Sequence, residues 1–206
     1  MKFFMTALAL CVALSPALVR AESVPYKVSE FRAIDVRMGI SVDVTIAPEY
    51  EVAAEAITGD LAQFRIKEYL PWLAFSRDTR WLIFSEWRDD AFAVDVKTPV
   101  LNGLKAFEDA TATFAGDAGE RLWIEAGTGG AITVSDVIVG ELTLLARAGG
   151  TISAVGTCDR LTIRNEGHAI DASGLDCSSI VVNGDPAGVT LAPGALTVAE
   201  HPALEG

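Results

Sequence analysis

Basic residues are scarce in this sequence of 206 residues, which has 16 Lys and Arg against 28 Asp and Glu. The formal net charge of −12 argues against nucleic acid and anionic lipid surfaces as partners, because both are bound through basic patches. After the first 21 residues, no apolar run approaches the roughly 20 residues that a transmembrane helix needs. Helical periodicity also never persists for three turns, which argues against a helical fold.

The first 21 residues have the pattern of a secretory signal peptide. Lys2 forms the positive start, residues 3–19 the apolar part, and Val19-Arg20-Ala21 a small-residue cleavage site. Cys11 leaves a lipid anchor as the alternative, although Leu10 precedes it where such sites have a small residue. Cleavage removes two basic residues and no acidic one, so the charge changes from −12 to −14. We therefore predict an exported protein, periplasmic or extracellular, with no transmembrane segment in the mature chain.

A repeat of about nineteen residues runs from Leu104 to Leu196. Each unit has an apolar pair spaced two residues apart, a Gly-containing turn, and a second such pair. Stacked copies of such a unit would bury one continuous core, which predicts a β-solenoid of about five coils. The first pairs are Leu104/Ala106, Leu122/Ile124, Leu142/Leu144, Leu161/Ile163 and Ile180/Val182, and the second pairs are Ala112/Phe114, Ile132/Val134, Ile152/Ala154, Ile170/Ala172 and Val189/Leu191.

The chain before the repeat also has the period of β-strands. Apolar residues occupy every even position from Ile34 to Ile46, and Gly39 is predicted to split this run into two strands. Further strands are predicted from Tyr50 to Ala56 and around Trp72–Ser76, Leu82–Ser85 and Phe92–Val96. One helical turn is predicted at Asp60–Ile66, with Asp60 as its cap.

These patterns predict an all-β protein, a β-solenoid preceded by a strand-rich segment. The predicted organisation is a signal peptide at 1–21, an N-terminal β segment that caps the solenoid at 22–98, solenoid repeats at 99–198 and a tail at 199–206.

Two cysteines, Cys158 and Cys177, follow the leader and are separated by one repeat of the sequence. Strands of adjacent coils lie about 4.7–4.9 Å apart, within the window of about 4.4–6.8 Å between Cα atoms that a disulfide requires. An exported protein reaches compartments in which such a bond forms. We predict a disulfide; two free buried thiols are the alternative.

Three stretches of the chain form a recognisable series of motifs. They are Phe31-x-x-Ile34-x-Val36-x-x-Gly39-Ile40-Ser41-Val42-x-Val44, then Leu73–Arg77, then Val94–Leu104 with its Pro99 and Gly103. In order and spacing they resemble the auto-transporter adhesin head GIN domain family. Ser41 stands where the family's name-giving motif has Asn. The Gly-rich turns Gly127–Gly130 and Ala148–Gly150 follow in the expected order. The resemblance implies a secreted right-handed β-helix with an adhesive or binding role, and it carries no known catalytic residues.

An aromatic cluster with interleaved arginines lies between Phe64 and Phe92. Aromatic rings combined with Arg are typical of binding hot spots and of surfaces that stack on sugars. The alternative is that these rings cap the open end of the solenoid. The predicted binding residues are Trp72, Trp81, Trp87, Arg77, Arg80 and Arg88.

We predict a non-catalytic, adhesin-like binding module without cofactor or metal, whose partner is a glycan or a cell-surface protein. The first alternative is a carbohydrate-active enzyme on a β-helix, because such chemistry needs carboxylates that converge on one outer face. A structural envelope protein is the second alternative. The acid–base candidates for the enzyme are Asp159, Glu166, His168, Asp171, Asp176 and Asp185.

Overall fold

The computed structural model describes residues 23–78 and 90–194 and the backbone of residues 197–198. Within these residues the chain is all-β apart from a 3-10 helix at Leu61–Gln63, as the sequence predicts. The predicted signal peptide and the predicted strand Leu82–Ser85 lie outside the described residues. The strands are β1 Val24–Tyr26, β2 Ala33–Val36, β3 Ser41–Ile46, β4 Glu51–Thr58, β5 Phe64–Tyr69, β6 Trp72–Arg77, β7 Ala91–Thr98, β8 Gly103–Ala106, β9 Thr111–Ala126, β10 Ala131–Ala146, β11 Thr151–Asn165, β12 Ala169–Gly184, β13 Val189–Leu191 and β14 Thr197–Val198.

The long strands β9 to β12 stack in parallel and form a β-solenoid of about four turns. Ile132 pairs with Ile152, Ile152 with Ile170, and Ile170 with Val189, which confirms the predicted ladder of second pairs. The number of turns is below the predicted five, and within the described residues β12 is followed by the short strands β13 and β14.

One detail of the predicted repeat is wrong. Leu104 pairs with Ile124 and not with Leu122, so the first repeat is longer than predicted. The interval from Leu104 to Ile124 equals the interval from Leu122 to Leu142 in the next coil. Leu122 belongs to the next column, where it pairs with Leu142.

Strands β2 and β3 form a layer within the stack, between strands that follow them in the chain. Ile34 pairs with Leu104 of β8 on one side and with Leu73 of β6 on the other. In the same layer β3 pairs with β9 and with β7, all in parallel. The spatial order of layers is therefore β6–β7, β2–β3, β8–β9, and the stack extends into the chain before residue 99.

A mixed, curled sheet forms the N-terminal end of the stack. Strand β5 pairs with β6, β4 pairs with β7, and β1 pairs with β4, all antiparallel. Three rings pack together there: Phe64 lies 5.9 Å from Phe75 and 5.7 Å from Phe92 between ring centroids, and all three are buried. The predicted cap of the short helix is confirmed, because the Asp60 carboxylate accepts from the amide of Ala62 at 2.8 Å. The predicted end of this helix at Ile66 is wrong, since the helix ends at Gln63 and β5 begins at Phe64.

A tight turn with two successive residues of positive φ recurs along the stack. It occurs at Met38–Gly39, where the predicted break between β2 and β3 is confirmed, and again at 108–109, 128–129 and 148–149. Two such residues in a row are the backbone signature of a type I′ turn, in which Gly is the least strained residue. The turn places the second strand of each coil back over the core.

A bulge divides each of the long strands into a first and a second half. In β10 the register shifts between Val134 and Val137, and in β11 between Ser153 and Val155. Apolar residues alternate with exposed residues in both halves, so one set of side chains fills the core and the other points outward. The outward side chains of the two halves form different faces of the solenoid.

Candidate functional site

One outer face of the stack carries most of the chemistry of the described residues. It is formed by the outward positions of β6, β2 and β8, by the second halves of β9 to β12, and by the residue after each of these strands. We call it the basic face. Residues that are register partners in successive coils form columns across this face. One column contains Trp72, Ala33, Gly103 and Trp123, and a second contains Asp35, Lys105, Glu125, Leu145 and Arg164.

A lysine lies between two tryptophans at the N-terminal end of the basic face. The ammonium of Lys105 is 4.4 Å from the ring centroid of Trp72 and 4.7 Å from that of Trp123. The small residues between the two indoles make this possible, since a Cβ atom on Gly103 would stand 3.2 Å from the edge of Trp72. Both contacts are cation–π interactions, which hold the rings upright against the strand surface.

Glu125 is an outward residue that its neighbours cover completely. Its side chain is 1 % exposed, and its two oxygens face Arg147 and Lys105. The Lys105 ammonium lies 3.2 Å from Oε2, an ion-pair distance, although this oxygen has no partner in hydrogen-bond geometry within the described residues. Arg147 also lies over the Phe107 ring, 5.9 Å from its centroid. A buried carboxylate between two cations fixes both of them in place.

A second buried carboxylate, Asp35, anchors the neighbouring coil. Arg37 donates to it twice, at 3.0 Å and 2.9 Å, and the Tyr69 hydroxyl donates at 3.0 Å. Burial raises the pKa of Tyr69, and the adjacent Asp35 carboxylate raises it further, so the phenol stays protonated and keeps donating. The hydrogen bond from Arg37 to Asp35 likewise raises the pKa of the guanidinium.

After Lys105 the sequence has only four Lys or Arg residues, and all four are arginines of the basic face: Arg121, Arg147, Arg160 and Arg164. Arg121 is paired with Glu141 at 3.0 Å, and Arg147 with Glu125. Arg160 and Arg164 are exposed and have no ion-pair partner among the residues that the structure describes. All arginines after Lys105 therefore lie on one side of the solenoid, together with the carboxylates Glu125, Glu141, Glu166 and Asp185.

The acidic residues of the same coils lie mainly elsewhere. Those at the bulge edge, between the two halves of the long strands, are exposed: Asp117, Glu120, Asp136, Asp159 and Asp176. On the face formed by the first halves, Asp171 accepts from the amide and the hydroxyl of Ser173. These bonds lower the pKa of Asp171. The arginines of the solenoid are thus confined to one face, whereas the acids are spread over all sides.

The chain matches the model of the family described as "Putative auto-transporter adhesin, head GIN domain" over residues 30–189. It belongs to this family. The match confirms the resemblance seen in the sequence, and it covers both the N-terminal layer and the solenoid.

Solved structures show the same fold at low sequence identity. A crystal structure described as a putative adhesin from Bacteroides fragilis matches with a TM-score of 0.71 and 16 % identity, over 88 % of this chain and 78 % of the other. A protein from Parabacteroides distasonis described as a putative lipid binding protein matches with 0.57 and 13 %, over 81 % and 79 %. A putative adhesin from the same species matches with 0.55 and 14 %, over 80 % and 79 %. No curated protein sequence matches this chain significantly.

The structure of this head GIN domain separates two of the predicted binding residues. Trp72 is half-buried on the basic face, whereas Arg77 lies at the end of β6 with its guanidinium 5.9 Å from the centroid of the Phe92 ring. Its Nε is buried and has no hydrogen-bond partner among the described residues. The other four predicted residues, Trp81, Trp87, Arg80 and Arg88, lie outside the described residues.

The aromatic cluster divides between the two roles considered for it. Phe64, Phe75 and Phe92 are buried at the end of the stack, as expected of a cap. Tyr69 and Trp72 stand on the basic face, where Trp123 joins them from a coil far along the chain. Sequence analysis missed Trp123, Lys105 and the arginines of this face. What identifies them is that they are register partners in neighbouring coils; Trp123, for example, pairs with Gly103 of the preceding coil.

A disulfide joins Cys158 and Cys177 across adjacent coils, with the two Cα atoms 4.5 Å apart. The cysteines are register partners in β11 and β12 and lie at the bulge edge. The bond therefore ties the last two long strands of this head GIN domain together.

The residues considered for catalysis are divided among three parts of the solenoid. Glu166 and Asp185 directly follow the register partners Asn165 and Gly184, so they lie one coil apart at the turns that end β11 and β12. Asp159 and Asp176 are at the bulge edge, and Asp171 is on the face of the first halves. His168 lies in a turn, where its Nδ1 accepts from the amide of Gly149 at 3.2 Å. Within the described residues no three His, Cys, Asp or Glu side chains are grouped so that they could hold a metal ion. The same residues contain no helix long and apolar enough to cross a membrane.

Proposed function

We propose that this protein is an exported, non-catalytic binding module of the bacterial envelope with an adhesin-like role. The observation that carries the proposal is the exposed indole of Trp123, which is 39 % accessible although it belongs to a long, well-packed strand. Exposed tryptophan held rigidly beside charged groups is a frequent feature of binding hot spots. Membership of an adhesin-related family supports the same conclusion.

Export is supported by two independent features. The first 21 residues have the pattern of a cleaved leader. The disulfide between Cys158 and Cys177 is typical of proteins that fold in an oxidising compartment. Absence of catalysis is proposed because the acids considered for it are divided among three sides of the solenoid. We expect no product from acidic polysaccharides incubated with the protein.

The experiment measures attachment of the labelled, exported protein to a glycan array and to bacterial envelopes. Trp123→Ala should weaken attachment at least about tenfold, the loss expected for one aromatic hot spot. Ile138→Ala is the matched control, because Ile138 is 58 % exposed at the bulge edge, away from the basic face. Equal attachment of both variants and the unaltered protein would contradict the proposed function.

A further inference from the structure

We infer that the basic face binds an anionic polysaccharide, through a shallow bay formed by Trp123, Thr143, Thr162, Arg160 and Arg164. The inference rests on the proposed binding function and names its ligand class. The bay lies across three successive coils, since Trp123 pairs with Thr143 and Thr143 with Thr162.

The bay has short side chains in its middle and longer ones around them. Thr143 and Thr162 are half-buried outward residues between fully buried leucines and isoleucines, so their short hydroxyl side chains form the floor. Strands of neighbouring coils lie about 4.8 Å apart, which puts Trp123 about 10 Å from the coil of the two arginines. Arg160 and Arg164 stand four residues apart on β11, about 13 Å along the strand at about 3.3 Å per residue.

The charges around the bay leave these two arginines available. Glu141, the register partner of Arg160, is paired with Arg121, and Glu125 is paired with Lys105 and Arg147. Glu166, two residues after Arg164, is an exposed carboxylate at the edge of the bay that has no ion-pair partner among the described residues. The exposed acids of the bulge edge lie at the margin of this face, where Asp159 directly precedes Arg160. Charges farther apart than about 8 Å are largely screened at physiological ionic strength, so the net negative charge of the protein does not cancel a local positive surface.

The chemistry of the bay fits an anionic sugar chain better than it fits an anionic membrane surface. Guanidinium groups bind carboxylates or sulfates through paired hydrogen bonds. The exposed indole offers an apolar face for a sugar ring, and the threonine hydroxyls offer hydrogen bonds to its hydroxyl groups. A membrane surface would need protruding apolar side chains, whereas this floor is polar. Two sites of positive charge about 13 Å apart favour a chain that carries charge at intervals.

The test measures binding of the full exported protein to immobilised polygalacturonate, neutral dextran and phosphatidylglycerol vesicles at several salt concentrations. We expect binding to polygalacturonate that weakens as salt rises, and little binding to dextran or to vesicles. The double variant Arg160→Ser/Arg164→Ser should bind polygalacturonate about 4- to 25-fold more weakly, at about two- to fivefold for each exposed ion pair. The matched control is Lys27→Ser/Lys97→Ser, which removes the same charge from exposed positions outside the basic face, since Lys97 pairs with Thr45 of β3 on the side of the first halves, and which should change binding less than about twofold.

Equal losses in the two double variants would overturn the inference, because net charge alone would then explain binding. Binding to dextran or to vesicles that matches binding to polygalacturonate would also overturn it. If attachment depends on Trp123 but not on salt or on the two arginines, the inference fails and the proposed function stands. If Trp123→Ala leaves every attachment unchanged, the proposed function itself fails. Thermal melting of each variant verifies that it is folded, as expected for substitutions at exposed positions.

Discussion

The ladder of apolar side chains makes the cost of a cavity depend on position along the solenoid. Ile152 is 2 % exposed and lies between Ile132 and Ile170, each 1 % exposed, in the strands on either side. Ile152→Ala removes three carbon atoms, worth about 2.4 kcal/mol at about 0.8 kcal/mol for each buried CH2 group. The two flanking strands prevent the cavity from collapsing, which adds to this loss. We expect a decrease of about 3–4 kcal/mol in the free energy of unfolding.

The matched comparison is Val189→Ala in β13, at the other end of the same column. Val189 is half-buried and, of the described strands, β13 pairs with β12 alone. Fewer carbon atoms leave the core and solvent can fill the space, so the expected cost is about 1 kcal/mol or less. Thr151→Ala, at an exposed position beside Ile152, should change stability by less than about 0.5 kcal/mol.

Urea unfolding followed by circular dichroism measures all three variants. The denaturant dependence, m, should stay constant while the midpoint shifts, which shows that the folded state alone is affected. For a chain of this size the Ile152 variant should also melt about 10 °C lower. Equal costs for Ile152→Ala and Val189→Ala would refute the reasoning, because the two sites would then be packed equally.

Three further predictions concern bonds outside this ladder. Replacement of both disulfide cysteines by Ser should lower the free energy of unfolding in urea by about 3 kcal/mol, from the chain entropy of a loop of about 20 residues. Mass spectrometry of the unreduced exported protein should show two hydrogens fewer than two thiols would give. Freely alkylated thiols would contradict the pairing. Glu125→Gln should lower the free energy of unfolding by about 1–3 kcal/mol, since its two cations lose a buried charged partner. The exposed control Glu141→Gln should lower it by less than about 0.5 kcal/mol. Similar losses in the two variants would exclude a special role for burial. Ser173→Ala should raise the pKa of Asp171 towards its ordinary value in an NMR titration, and an unchanged pKa would show that this hydrogen bond is not its cause. Because the folded-state pKa of Asp171 is lowered, its contribution to stability is present above the unfolded pKa and is lost as the pH falls through the folded value.

The sequence predicts the solenoid well because each coil repeats the same chemistry at nearly the same interval. The first members of the second pairs, from Ala112 through Ile132, Ile152 and Ile170 to Val189, fall in the predicted register. The layer of β2 and β3 has the same internal spacing, since the interval from Ile34 to Val42 equals that from Leu104 to Ala112. Its partners in β8 and β9 follow much later in the chain, and a pattern of neighbouring repeats does not connect the two.

The candidate site is less accessible to sequence analysis. Trp123 stands alone among aliphatic and polar residues, far from the aromatic cluster between Phe64 and Phe92. Only the register with Gly103 and Trp72 brings it into a group. Glu125 occupies an outward position in an alternating pattern, which predicts exposure. Its burial results from long side chains that reach over from adjacent coils, and alternation within one strand carries no information about them.

The order of layers restricts how such a protein can gain or lose coils in evolution. At the C-terminal end each coil follows the previous one in the chain, so duplication of a single repeat adds a coil without disturbing the others. The layer of β2 and β3 is enclosed between β6–β7 and β8–β9, so neither insertion nor deletion can occur there without breaking two interfaces at once. We expect relatives to differ in the number of coils after β9 and to share the same N-terminal closure. A binding face built from successive coils would lengthen in step with each duplication, which gives selection a simple means of matching the protein to longer ligands.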